Sequence, residues 1–143
     1  MKLELKHLAG YLPYNLKIET HYGWDTMSTL NDWSVNGDCE ESYSYETLEE
    51  TDFKPILRPL SDLTKEIKVN NKKFCFEQWL NESSCPEEYA QYTRCIYKTL
   101  SDGSPIDIHY LSYRIIKKMY EHHFDIYGLI DAGLAIDINK LNK

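Results

Sequence analysis

Apolar residues recur at every second position early in the chain and at every third or fourth position late in it, so the first half reads as strands and the second as helices. Leu16, Ile18 and Thr20 alternate with Lys17, Glu19 and His21, which predicts a half-buried strand over 16–22. Ahead of it, His7 to Leu16 (HLAGYLPYNL) reads as a short apolar turn of helix that Gly10 and Pro13 keep from lengthening, placed to cover the core. Asn36-Gly37 is the strongest two-residue turn signal in the chain and predicts a hairpin with arms over 27–35 and 39–45. Pro55 and Pro59 bracket Ile56-Leu57-Arg58 and impose an extended crossing. Ser61, followed by Asp62, is expected to cap one or two helical turns over Leu63 to Ile67. Asn70-Asn71, between Val69 and Phe74, predicts a second tight turn or small hairpin.

Two longer helices follow. Ser84-Cys85-Pro86-Glu87 has the form of a capping box, after which Tyr89, Tyr92, Ile96 and Leu100 make one apolar stripe that Asp102-Gly103 ends. Ser104-Pro105 or Asp107 is expected to open the next helix, with Ile108, Leu111, Ile115, Met119 and Tyr120 as its buried seam. Arg114, Lys117, Lys118 and Glu121 would face water, and the helix should stop near His123. Phe124 to Asn139 (FDIYGLIDAGLAIDIN) then reads as a short helix and a closing strand formed by Leu134, Ile136 and Ile138. With no internal repeat and no linker, the expectation is a single α+β domain over 1–143, a small antiparallel sheet from the N-terminal half packed with two longer C-terminal helices.

Composition agrees with a folded domain: of 143 residues 42% are apolar and 27% charged, far from the depleted make-up of a disordered chain. No apolar run approaches the roughly 20 residues that cross a bilayer. Met1 to Leu8 carries Lys2, Glu4, Lys6 and His7 among its leucines, unlike a secretory signal, so the protein is expected in the cytoplasm. Cys39, Cys75, Cys85 and Cys95 match no CxxC pair or zinc-finger spacing and are expected to be reduced thiols. The net charge of −7 is local: Asp38, Glu40, Glu41, Glu46, Glu49, Glu50 and Asp52 lie in one stretch without Lys or Arg, and the remainder of the chain is balanced. Phosphate-backbone binding needs a basic stripe, so direct nucleic-acid binding is not expected.

Few residues suggest catalysis. His122 and His123 are adjacent, point about 100° apart on a helix and so do not chelate one ion as an i, i+4 pair would. No GxSxG, GxxxxGK[ST] or GxGxxG occurs, and none of the cysteines sits in a recognisable catalytic frame, so no catalytic residue, metal or cofactor is assigned. The acid-rich stretch is different in kind. Interleaved with Tyr43 and Tyr45 and close to Trp24 and Trp33, it combines the aromatic anchors and steering charges of a protein-binding surface, with Glu40, Glu41, Glu49 and Glu50 as its acids.

Three blocks carry a resemblance: Leu8 to Leu16 (LAGYLPYNL), Lys54 to Ile67 (KPILRPLSDLTKEI) and Phe124 to Leu141 (FDIYGLIDAGLAIDINKL). In that order, over roughly a third of the chain, they are similar to a family of small proteins carried by phages and integrated mobile elements of gut bacteria, which has no assigned activity. The resemblance implies a setting, an accessory protein in a bacterial cytoplasm, and no functional residue. The leading expectation is a non-enzymatic protein that binds a host or element protein through Trp24, Trp33, Glu40, Glu41, Tyr43, Tyr45, Glu49 and Glu50. Two alternatives stand beside it: a small-ligand or nucleotide-sequestering domain with an aromatic pocket, and a hydrolase using His122 or His123 with Asp125.

Overall fold

The computed structural model describes residues 5–20, 23–30, 34–37, 42–44, 53–69 and 71–140, and for Leu5, Thr20, Phe53 and the strands within 23–44 it describes the backbone alone. The architecture is α+β. Helix α1 (Leu5–Leu8) runs into a 3-10 turn over Ala9–Tyr14, and Asn15 in the left-handed region redirects the chain into β1 (Lys17–Thr20). Then come β2 (Gly23–Leu30), β3 (Ser34–Gly37), β4 (Ser42–Ser44), β5 (Phe53–Leu57), a 3-10 turn over Leu60–Thr64, β6 (Glu66–Val69) and β7 (Lys72–Cys75). Helices α2 (Phe76–Ser83), α3 (Pro86–Asp102) and α4 (Tyr113–Glu121) follow, and β8 (Ile136–Asp137) precedes a last 3-10 turn, Ile138–Lys140. The main sheet has the order β4-β3-β2-β1-β5-β8, antiparallel except that β8 lies parallel to β5, with Ile56 opposite Ile136. β6 and β7 form a separate hairpin, turned at Asn71 with φ 66°.

Two groups of buried side chains hold these layers. Leu8, Tyr11, Leu16, Ile18, Leu57, Leu129 and Ala135 join the N-terminal helical turns to β1, β5 and the C-terminal segment. A larger group, including Leu63, Phe76, Leu80, Tyr92, Ile96, Ile115, Met119 and Phe124, joins the β6–β7 hairpin to α2, α3 and α4. Tyr120 and Tyr127 pack against both groups, so the sheet and the helices share contacts. Each large apolar side chain removed from water contributes roughly 1.5–3 kcal/mol. Trp79 of α2 lies beneath two cations of α4: the Arg114 guanidinium is 4.8 Å and the Lys118 ammonium 5.2 Å from its ring centre. Arg114 and Lys118 were expected to face water, and instead half-bury over this ring, while Lys117 and Glu121 are exposed. No helix among the described residues is long and apolar enough to cross a membrane.

Several local expectations give way to competing interactions. Asn36-Gly37 does not turn the chain; both residues lie in β3, where Asn36 is opposite Thr29 on one side and Ser42 on the other. The single expected arm over 27–35 is therefore two strands, β2 and β3, with a bulge between Met27 and Thr29, because pairing on both flanks outweighs a local turn preference. The 3-10 turn over Leu60–Thr64 begins from Pro59 instead of Ser61, and Ile67 belongs to β6. Pro86 takes the first position of α3, which makes Cys85 the cap and leaves the Ser84 hydroxyl buried without a partner, so the capping box does not form. Helix α4 starts at Tyr113, not near Ser104 or Asp107, because the Asp107 side chain accepts the His109 N–H at 3.0 Å and its carbonyl accepts the Tyr110 N–H, closing a turn in place of a helix. Leu111, Ile115 and Met119 keep their buried positions. Residues 126–133 form turns and no helix, and the closing strand is confined to Ile136–Asp137.

Candidate functional site

The acid-rich stretch meets the fold at the end of the main sheet. β4 is the terminal strand, paired with β3 through Ser34–Ser44, Val35–Tyr43 and Asn36–Ser42. Tyr43 shares a row with Val35 and Leu30, whereas Trp24 of β2 shares a row with Glu19 of β1 and Lys54 of β5. The two rows cross β2 near its opposite ends, at Trp24 and Leu30, with the bulge between them, and β3 lies between β2 and β4, so the sheet carries both aromatics without making them neighbours. Trp33, Glu40, Glu41, Tyr45, Glu49 and Glu50 lie outside the described residues. What the described backbone adds is an edge: on its outer side β4 has no strand partner among the described residues, and an edge strand offers unpaired N–H and C=O groups to another chain.

The histidines and Asp125 occupy the junction between the two cores. The end of β5 and the segment after α4 are tied through their backbones, Arg58 N–H donating to His123 O at 2.8 Å and Asp125 N–H donating to Arg58 O at 2.8 Å. The buried Tyr11 hydroxyl donates to the Phe124 carbonyl and accepts the Ile126 N–H. His123, at φ 63°, donates from Nε2 to the Tyr14 carbonyl at 2.7 Å, since a carbonyl only accepts. The Asp125 carboxylate is buried and accepts the N–H groups of Leu129 and Ile130 at 2.8 and 2.9 Å. Burial pushes its pKa up, and those two N–H groups pull it back. His122 stacks on Phe74 of β7 with ring centres 4.2 Å apart, and neither of its buried ring nitrogens has a hydrogen-bond partner. Each of the three side chains is engaged separately, and no hydrogen bond passes a proton from one to another. Among the described residues no three of His, Cys, Asp and Glu converge to hold a metal ion.

The His122 environment makes a prediction. Burial lowers its pKa from 6.5 to about 4, so the folded protein keeps it neutral while the unfolded chain protonates it. The depressed value means that its contribution is complete above pH 6.5 and is lost as the pH falls through about 4. The melting temperature of the parent should decline over that window more steeply than that of His122→Phe, which keeps the stack on Phe74. The ring is only partly covered, so the difference in stability should be about 1–2 kcal/mol. Identical slopes in the two proteins would rule this out.

A second concave site was not singled out by sequence. A cleft of about 560 Å³ opens between the end of β5, the 3-10 turn over Leu60–Thr64, β6 and the C-terminal turn, lined by Arg58, Asp62, Lys65, Glu66, Lys68 and Asn139 with Ile67 and Ile138. No sequence motif marks it: Arg58 stands out only as the cation of the extended crossing between Pro55 and Pro59. No protein-family model, no curated protein and no solved structure matches the chain.

Proposed function

We propose that the protein is a non-enzymatic accessory protein of a phage or mobile element that binds a basic host or element protein along the β4 edge of its sheet. The observation that carries this reading is the position of β4: a terminal strand centred on Tyr43, inside the one stretch of the sequence that concentrates the negative charge. An added strand gains affinity from main-chain hydrogen bonds and specificity from side chains on alternate positions, and the acids raise the rate at which a basic partner arrives. Tyr43, in the middle of the edge, is the residue type that anchors such interfaces.

A lysine-rich, strand-forming peptide should bind the full chain, measured by calorimetry. Reversing Glu40, Glu41, Glu49 and Glu50 to Lys should weaken it at least about tenfold, a change of roughly 1.4 kcal/mol, with no loss of melting temperature. Undiminished binding of the reversed variant at physiological salt would reject the reading.

A further inference from the structure

The charges around the cleft beside Arg58 are unevenly matched. Asp62 is buried, and its two oxygens are satisfied within the chain: Oδ2 accepts the Asn139 side-chain amide at 2.8 Å and Oδ1 lies 3.6 Å from the Lys65 ammonium. Glu66 is matched from the neighbouring strand by Lys73 at 3.6 Å. Two cations remain. Lys68 makes no ion pair among the described residues, and the half-buried Arg58 has one long contact, from Nε to the His122 carbonyl at 3.4 Å. Burial lowers the Arg58 pKa, and the nearby Asp62 charge only partly offsets this. A partly desolvated guanidinium whose terminal N–H groups have no acceptor among the described residues is costly unless an anion completes it.

We propose that this cleft is a binding site for a small phosphomonoester, held between Arg58 and Lys68. Two unmatched cations suit a dianion better than a carboxylate, and the planar guanidinium takes two phosphate oxygens at once. The cleft, at about 560 Å³, exceeds what a free phosphate ion fills and falls in the range of small-ligand sites. Asn139 and Asp62, already bonded to each other, give the wall beyond the phosphate a polar surface that suits a hydroxylated remainder. The site is separate from the β4 edge and stands whether or not that edge binds a partner.

The test is titration of the isotope-labelled full chain, followed by backbone amide resonances, with ribose 5-phosphate, ribose and a phosphoserine peptide. Ribose 5-phosphate should move the amides of Arg58, Lys68 and Asn139 with a dissociation constant below about 1 mM, and ribose should not. Lys68→Met, at an exposed position, should weaken binding at least about tenfold, as should Arg58→Lys, while Lys117→Met, at an exposed position of α4 outside the cleft, should leave it unchanged. Binding of the phosphoserine peptide in place of the sugar phosphate supports the phosphate site and assigns its source to a protein. No shift with either phosphorylated probe at about 10 mM, or equal affinity in Lys68→Met and the parent, overturns the proposal.

Discussion

Gly10→Ala is expected to be among the most damaging single-methyl changes in this protein. A Cβ at Gly10 would collide with Cζ, Cε1 and Cε2 of the Tyr120 ring, well inside any real contact. The half-buried Tyr120 ring is held on two sides: it meets Tyr11 edge to face with ring centres 4.8 Å apart, and its hydroxyl lies 3.3 Å from that of Tyr127. Those three tyrosines join the N-terminal turns to α4 and to the C-terminal segment, so moving the ring disturbs both cores. Overpacking of this kind costs about 3 kcal/mol, which for a chain of 143 residues lowers the melting temperature by about 10 °C. The cause is separable. In a Tyr120→Leu background, where the colliding ring atoms are gone, Gly10→Ala should cost less than about 1 kcal/mol, and an undiminished cost there would place the damage elsewhere.

Asp125→Ala is the second large effect. The carboxylate accepts two backbone N–H groups, of Leu129 and Ile130, and so shapes the turns that deliver Leu129 and Ala135 to the first core and Ile136 to β5. Hydrogen bonds to a charged acceptor contribute about 1.5–3 kcal/mol each, and the cost of burying the carboxylate subtracts from the total, leaving an expected loss of about 2–3 kcal/mol. Asp125→Asn should fall between, because an amide keeps one acceptor and turns a donor toward the other N–H. Chemical denaturation reads both variants, and a loss under about 0.5 kcal/mol for Asp125→Ala would show that the turns hold themselves.

How much of this was legible depended on how local the deciding interaction is. The period-two pattern is carried into β1, with Leu16 just ahead of the strand and Ile18 within it buried in the first core while Lys17 is exposed, because such alternation answers only to which face of the strand meets the core. Asn70-Asn71 marks the hairpin between β6 and β7 for the same reason, since asparagine tolerates the left-handed conformation found at Asn71. Gly103, at φ 75°, ends α3 where a residue with a Cβ would be strained. The Asn36-Gly37 signal is as strong in isolation and still loses, because two partner strands compete for those residues. The late start of α4 turns on one aspartate side chain, and the parallel pairing of Ile56 with Ile136 joins residues far apart in sequence that no window spans. The candidate site divides in the same way. Charge and aromatic content single out residues 38–52 directly, whereas the edge position of β4, the acceptor role of Asp125 and the unmatched charge of Arg58 emerge only when distant segments meet.

Backbone amide exchange of the full chain, with and without a lysine-rich strand-forming peptide, is the measurement closest to the functional claim. If the β4 edge accepts a strand, exchange at one or more of Ser42, Tyr43 and Ser44 slows on binding, since alternate N–H groups of an edge strand gain partners. Bound peptide with those three amides unchanged, and protection arising elsewhere on the molecule, would contradict it.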